Sequence, residues 1–449
     1  MLSIGLLLLG INGLKAQEPM SFNTINGESY RLFLEEKWDS VLIMGREGIR
    51  QDMDFYYLRI RMGIACYNQK KYRQAAGHFK QALAFNLDDP LALEYLYYSY
   101  LFSGQADLAA LVRKRFKGQL AHKLPPLKGK AIDHLGLEYL YNKGLTGDIL
   151  SDPALFFSGL STGVQYVTKS YSNTALSISS SILPGFRLNQ QLTYLSKSNI
   201  QYYNDGLYTL LLDHQEVKQF QYYLSPSITL KSGFMLMPMF HLLSIHYQTP
   251  VATGSGGTGF QGGSNGLAMG NLDEMSLVSG LSINKFAGLL DLQLGAWYAN
   301  LNKKQQFQGR LGLTAYPLGN LNFYAGAFLN SQYEMTDSSG VFRFIPEIKL
   351  GFAIAGKIWG DLYASFGDMT NYLEQNGAIV YNSYYEVIQK KAGLTLSIPV
   401  SEKGSLIYFG GRWSARQSEF STLNPEQTEI INPIPYNALS FYGGITWKF

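Results

Sequence analysis

The chain has 449 residues, with 37 Lys and Arg against 33 Asp and Glu, and a single Cys. This length accommodates two or more domains on the usual scale of ~150 residues each. After the N-terminus there is no run of about 18 apolar residues, which excludes a protein that crosses a membrane with helices. Because Cys66 is single, a disulfide framework and a multi-thiolate metal site are also excluded. The small, dispersed positive charge predicts no nucleic-acid partner.

The N-terminus has the features of a targeting segment. An apolar stretch of about 12 residues, Leu2 to Gly13, is followed by the small-residue sequence Leu14-Lys15-Ala16-Gln17. The stretch is too short to span a bilayer as a stable helix. We therefore expect residues 1–16 to be a secretory signal peptide, and a short buried helix is the alternative.

Residues 28–114 have apolar positions at helical spacing and a repeat of 34 residues. Lys37-Trp38 recurs as Lys71-Tyr72, and Gln105-Ala106 follows after the same interval. The period resembles tetratricopeptide repeats, in which small residues allow the two helices of a hairpin to approach closely. The packing positions of the best copy are Gly63, Tyr67, Tyr72, Ala75, Phe79 and Ala82.

This repeat-like domain is predicted to cover residues 26–145. The segment 124–127 is interpreted as a connector, and residues 136–144 as a terminal capping helix. A stack of this kind provides a groove for a protein partner, or alternatively serves as a spacer between domains.

From Ser151 onward the pattern changes to period two, with many Gly, Tyr, Phe, Ser and Asn. In residues 342–354 the apolar side chains share one face, and Arg343, Glu347 and Lys349 lie on the other. Residues 439–449 alternate in the same way. An apolar outer face and a polar inner face are what a lipid-embedded, closed barrel requires. We predict a transmembrane antiparallel β-barrel over residues 151–449; a soluble sandwich or propeller is the alternative.

Short turns and longer connections alternate along this half of the chain. The short turns are expected at 184–185, 231–233, 287–288, 318–320, 355–356 and 401–404. The longer loops are expected at 203–215, 250–273, 336–340, 368–383 and 424–435. This division predicts about 14 strands, with 12 to 16 as the range, and places both ends of the barrel in the periplasm.

The final strand carries Trp447 and ends in Phe449. A terminal aromatic residue on an amphipathic strand resembles the C-terminal signal of outer-membrane barrel proteins, which implies insertion into the outer membrane of a Gram-negative bacterium.

The inward-facing charges of the predicted barrel are the candidate functional residues. They are Arg310, Arg343, Glu347, Lys349, Asp361, Lys391, Arg412 and Arg416. Such charges tune what passes through a lumen, or pair across it and help to close it. Because pairing depends on strand register, the sequence leaves both readings open.

No pattern predicts a cofactor, a metal site or catalysis. The GxGxxG match at residues 254–259 has no helix after it, so we interpret it as a flexible outer loop. His241 and His246 face opposite sides of one strand, without the Ser and acidic neighbours in sequence that a membrane-embedded hydrolase needs. We therefore predict that the protein is not an enzyme.

The order of signal peptide, repeat domain and barrel resembles two groups of proteins. One comprises exopolysaccharide export porins with periplasmic repeats, and the other comprises barrels that move or assemble surface proteins. The Tyr-, Asn- and Ser-rich composition also resembles proteins of the Bacteroidota. These resemblances imply an outer-membrane transport or export barrel whose periplasmic module docks a protein partner. The alternative is a non-conducting barrel that anchors an envelope assembly.

Overall fold

The computed structural model describes residues 20–125, 128–151, 162–204, 209–253, 266–335, 340–355, 357–382, 386–401, 404–422 and 433–449. The expected signal peptide and the glycine-rich segment at 254–259 lie outside the described residues.

The described residues begin with a helical region. Its helices are α1 (Phe22–Leu34), α2 (Trp38–Arg50), α3 (Tyr56–Asn68), α4 (Tyr72–Phe85), α5 (Pro90–Phe102), α6 (Ala106–Arg113) and α7 (Gly118–His122). Consecutive helices pack as hairpins around a shared apolar core. Within the described part of the chain, no helix is long and apolar enough to cross a membrane.

The six predicted packing residues lie between these helices. A Cβ at Gly63 would lie 2.7 Å from the Phe79 ring, so the glycine allows α3 and α4 to approach closely. Ala75 and Ala82 are fully buried. The Tyr67 ring packs edge-on against Tyr72 at 5.4 Å, and other aromatic rings connect this hairpin to α5.

The remainder of the described chain is mainly β-structure. The strands are β1 (Lys130–Gly144), β2 (Gly163–Leu183), β3 (Phe186–Asn204), β4 (Thr209–Thr229), β5 (Phe234–Thr253), β6 (Gly266–Ala287), β7 (Leu290–Leu301), β8 (Lys304–Ala315), β9 (Phe323–Met335), β10 (Gly340–Ile354), β11 (Ile358–Phe366), β12 (Leu373–Glu374), β13 (Ile379–Val380), β14 (Glu386–Pro399), β15 (Leu406–Ser418), β16 (Phe420–Thr422) and β17 (Ile434–Lys448). A short helix, α8 (Gly147–Ser151), connects β1 to the segment before β2.

Fourteen of these strands form one closed antiparallel barrel. Each pairs with its neighbours in sequence, apart from β12, β13 and β16, and β1 closes the barrel by pairing with both β17 and β2. β16 adds a short extension on the edge of β2, and β12 and β13 form a separate two-stranded hairpin. Closure leaves no open edge in the barrel wall, which a lipid-embedded sheet requires.

The first barrel strand corrects one prediction. Residues 136–144 were expected to form a helix, and this expectation is wrong: they belong to β1, where Leu137 pairs with Ile445. The barrel therefore begins at Lys130 rather than at residue 151, and the α1–α7 region ends at His122 rather than near residue 145. The count of fourteen strands is confirmed, but only thirteen of them lie within residues 151–449.

The alternation of side chains agrees with the predicted faces. On β10, Phe344, Ile348 and Leu350 are exposed on the outside, whereas Arg343 and Glu347 point inward. On β17, Phe441 is exposed outward and Ser440 is buried inside. An apolar outside and a polar inside define a transmembrane barrel.

The strands on one side of the barrel continue beyond the expected loops. β2 to β6 have 19 to 22 residues, whereas β7 to β11 have 9 to 15. β4 begins at Thr209 and β5 continues to Thr253, inside segments expected to be loops. The segment expected as an outer loop at 368–383 also differs, because most of it folds into the lumen.

Candidate functional site

A hairpin occupies part of the barrel lumen. It comprises residues 367–382, includes β12 and β13, and is called here the lumen hairpin. Met369 and Tyr372 are fully buried, and Leu373 is 2% exposed. This segment connects β11 to β14, and its burial shows that it folds back between the barrel walls.

Three buried glutamines of β8 and β9 bind the backbone of the lumen hairpin. The Gln308 amide donates to the Leu373 carbonyl at 2.7 Å and accepts from the Leu373 N–H at 3.0 Å. Gln306 and Gln332 donate to the carbonyls of Asn371 and Thr370 at 2.7 and 2.9 Å. These side chains satisfy backbone groups that a hairpin without a neighbouring strand would leave unpaired.

Charged and phenolic side chains fix both ends of the hairpin. Lys391 lies 2.6 Å from Glu374, and the Tyr381 hydroxyl donates to the same carboxylate at 2.6 Å. At the other end, Arg343 lies 2.6 Å from Asp368. His241 adds a contact of 2.8 Å between Nδ1 and the Gly377 carbonyl.

The eight predicted lumen residues all face inward and have polar partners there. Arg310 lies 2.9 Å from Glu347, and Lys349 lies 3.2 Å from Asp361. The other four residues also have partners. Arg343 contacts Asp368, Lys391 contacts Glu374, and Arg416 contacts Glu386, whereas Arg412 donates to the Tyr381 and Tyr171 hydroxyls. Seven of the eight therefore have a partner of opposite charge, whereas Arg412 binds hydroxyls only among the described residues.

Glu347 and Asp361 were predicted, but the other anions of these pairs were missed in the sequence, as was Glu334, a second partner of Arg343. Glu334, 1% exposed, lies 3.1 Å from Lys304 and 3.3 Å from Arg343. Glu374 and Glu386 lie at or near the ends of strands, where the period-two pattern is weakest. The inward direction of Glu334 could have been predicted, because it lies two residues after Gln332 on β9 and therefore on the same face of the strand.

A cavity of about 1290 Å³ remains beside the lumen hairpin. Its lining residues come mainly from β1 to β6, residues 302–305, the hairpin residues 375–382, and β14 and β15. Polar side chains such as Gln191, Gln219 and Tyr247 line much of it, together with both Arg412 and Arg416. The cavity extends from Gly136, near the short-turn end of the barrel, to Lys303, near the opposite end.

Glu386 is the main counter-charge in this cavity. It is buried and lies 2.9 Å from Arg416 and 3.3 Å from Lys197. The hydroxyls of Thr168 and Tyr436 also donate to it. One carboxylate thus serves two cations from different strands, Lys197 on β3 and Arg416 on β15.

The helical region contacts the short-turn end of the barrel. Arg73 of α4 binds Asp291 with two hydrogen bonds of 2.7 and 2.9 Å, and its backbone N–H donates to the Gly319 carbonyl at 2.9 Å. Arg187 at the start of β3 lies 3.0 Å from Asp107 of α6. These contacts place the helices over the turns between β2 and β9.

The two histidines considered for catalysis have different surroundings. His241 is buried against the lumen hairpin. His246 lies on the outer face, 2.7 Å from Asp273, a carboxylate that sequence proximity had not revealed. The Asp273 side chain is 83% exposed, so this pair is not enclosed in a pocket.

Comparisons with known proteins give distant likenesses. No protein-family model and no curated protein matches the chain. Among solved structures, the TodX monoaromatic hydrocarbon channel (deltaS2 mutant) is 10% identical over 74% of this chain and 94% of its own, with a TM-score of 0.44. A Pseudomonas aeruginosa FadL homologue is 8% identical over 71% and 91%, with a TM-score of 0.40. A bacterial polysaccharide outer membrane secretin is 9% identical over 71% and 99%, with a TM-score of 0.36.

The class of protein follows from the chain's own strand pairing and surface. It is a closed fourteen-stranded antiparallel transmembrane barrel that follows an N-terminal helical region. The barrel has an apolar exterior, a polar lumen and a hairpin folded inside.

Proposed function

We propose that the protein is an outer-membrane transport barrel for polar solutes, and that its helical region is a tetratricopeptide-like module which docks a protein partner in the periplasm. The observation that carries this proposal is the polar cavity beside the lumen hairpin. The hairpin fills one part of the lumen and leaves the side formed by β1 to β5 open to a solute. No bond chemistry is assigned to the site.

The orientation follows from the two ends of the barrel. Bacterial outer-membrane barrels have short turns on the periplasmic side and longer loops outside the cell. The helical region contacts the short turns, as the Arg73–Asp291 pair shows. This arrangement supports a periplasmic helical region and agrees with delivery by the expected signal peptide.

Partner docking is supported by exposed aromatic side chains on α1 and α3. Tyr30 and Tyr57 are 51% and 63% exposed, and the Arg61 guanidinium lies 5.0 Å from the Tyr30 ring centre. Arg61 is itself held by hydrogen bonds to Asn26 and Ser29. Exposed aromatics around a fixed Arg are typical of protein-binding surfaces.

Planar-bilayer conductance of the full chain tests the transport role. The wild type is compared with a variant in which residues 369–381 are replaced by a short Gly/Ser linker. We expect steady conductance from the wild type and a severalfold increase in the variant, because the lumen hairpin narrows the path. The control shortens the glycine-rich segment 254–263 and is expected to leave conductance unchanged.

The second candidate function is a non-conducting anchor for an envelope assembly. It is favoured by the number of buried ion pairs that brace the lumen, including Arg310–Glu347 and Lys391–Glu374. Absence of conductance in both the wild type and the hairpin variant would contradict transport and favour this role.

A further inference from the structure

We propose that the cavity contains a binding site for an anionic group, carboxylate or phosphate, centred on Arg412. The inference deepens the proposed transport function by naming the solute class, and it rests on that function only for the biological use of the site. Binding itself is a property of the cavity and is measurable whether or not the barrel conducts.

Among the described residues, Arg412 is a cation whose partners are hydroxyls and not a carboxylate. Its two terminal nitrogens donate to the hydroxyls of Tyr381 and Tyr171 at 2.9 and 3.2 Å. Within the described ranges, no Asp or Glu oxygen lies within the 4.0 Å of an ion pair. A guanidinium removed from bulk water is costly unless an opposite charge compensates it.

The neighbouring charges leave an excess of positive charge. Lys197 and Arg416 share Glu386, whereas Lys391 is paired with Glu374. Together with Arg412 this makes four cations against two carboxylates, a balance of +2. Tyr381 connects the groups, because its hydroxyl donates to Glu374 and accepts from Arg412.

The next carboxylate along this wall, Glu138, is bound to a different side chain. Glu138 accepts from the Tyr408 hydroxyl at 2.8 Å, and Tyr408 precedes Arg412 by four residues on β15. Four residues of extended strand separate the Cα atoms of Tyr408 and Arg412 by about 13 Å. A ligand anion beside Arg412 would therefore meet unbalanced positive charge and several phenolic hydroxyls.

The cavity is large enough to admit such a ligand. Its volume of about 1290 Å³ exceeds the usual range of small-molecule pockets, ~300–1,000 Å³. Arg412, Arg416 and Lys197 all line it. Arg310 and Lys349, in contrast, are paired with Glu347 and Asp361 and are not among its lining residues. Within the described lumen, the excess charge and the free space therefore coincide on the side of Arg412.

Calorimetric titration of the purified full-length protein with inorganic phosphate and with citrate, in low-chloride buffer, tests the site. Arg412→Gln removes the unpaired charge and is expected to weaken binding about tenfold or more, as for loss of a charged hydrogen bond. Arg412→Lys keeps the charge and retains most of the affinity. Glu386→Gln releases Lys197 and Arg416 and is expected to tighten binding. Lys349→Gln is the matched control, because it removes the same charge from a lumen residue away from the cavity.

The outcomes separate the site from transport. If the wild type binds neither probe up to about 10 mM, or if Arg412→Gln and Lys349→Gln bind as tightly as the wild type, the anion site is wrong. Binding that depends on Arg412 in a barrel that does not conduct supports the site and contradicts the transport role. If the barrel conducts, its ion selectivity is measured as the reversal potential under a KCl gradient. A loss of anion preference in Arg412→Gln but not in Lys349→Gln supports both the anion site and the transport role.

Discussion

The side chains of Arg73 and Asp291 join the helical region to the barrel across 218 positions of sequence. The Arg73 side chain is 2% exposed, and its guanidinium binds both carboxylate oxygens of Asp291 and lies 3.5 Å from the centre of the Tyr316 ring. A planar guanidinium that pairs in two places and stacks on an aromatic ring fixes orientation as well as position. The interface is therefore a specific docking of α4 on the short turns.

Arg73→Ala should loosen this docking. Removing one partner of a buried ion pair typically costs about 3–5 kcal/mol, because the other charge stays buried. We expect faster tryptic cleavage at Lys128, in the connection between α7 and β1. Arg50→Ala is the control, because Arg50 pairs with Glu47 at the surface and its side chain is 71% exposed. Equal cleavage rates in the wild type and in Arg73→Ala would show that the pair does not hold the domains together.

Two glycines of the α3–α4 hairpin should respond in opposite directions. Gly63→Ala places a methyl against the Phe79 ring and is expected to destabilise the helical region by about 1–3 kcal/mol. Gly77→Ala has nothing within 4 Å and is expected to stabilise α4 by about 0.5–1 kcal/mol. Thermal unfolding followed by helical circular dichroism measures both. A tolerated Gly63→Ala would mean that the two helices can separate without cost.

Leu350→Arg tests the register of the barrel. Leu350 is 40% exposed on the outer face of β10, where an Arg near the bilayer midplane costs about 2–4 kcal/mol. Reversible unfolding in lipid vesicles should show that loss. Leu87→Arg, at an exposed position just after α4, should leave barrel stability unchanged. A neutral Leu350→Arg would place this side chain outside the lipid.

Deletion of Phe449 should reduce assembly of the barrel. Its backbone N–H donates to the Asp133 carbonyl of β1 at 3.0 Å, and Phe449 is 56% exposed. We expect a lower yield of heat-modifiable barrel in outer-membrane fractions. Phe449→Trp keeps an aromatic ring and should restore the yield. An undiminished yield after deletion would show that Phe449 is not needed for assembly of the barrel.

The helical region should lose stability in acid through His78. Burial, reinforced by the nearby Arg59 charge, lowers the pKa of His78 from 6.5 to about 4. The unfolded chain therefore takes up the proton first as the pH falls below 6.5, and the folded state only near pH 4. About 2 kcal/mol of stability should be lost between pH 7.5 and 5. His78→Asn should flatten this pH dependence in thermal unfolding, and an unchanged slope would contradict it.

The two faces of a strand could be predicted from the sequence where one face is polar and the other is apolar. Arg343, Glu347 and Lys349 alternate with large apolar residues, so each inward position could be predicted without a structure. Residues 136–144 were misread because Leu135, Leu137, Tyr139 and Leu140 are compatible with a helix as well as with a strand. Pairing with both β17 and β2 decides that they form a strand, and these partners are about 300 and 40 positions away.

The sequence by itself determined the order of helices and barrel, an antiparallel barrel of about fourteen strands and the inward direction of the eight charges, because side-chain periodicity is a local property of the chain. The tertiary structure decided where the barrel closes, that the segment 367–382 folds into the lumen, and which anion each cation meets. Those features depend on contacts between residues far apart in sequence, such as Arg73 with Asp291 and Arg416 with Glu386. The tertiary structure brings those residues within a few ångströms and, among the described residues, leaves Arg412 without a carboxylate partner beside the cavity.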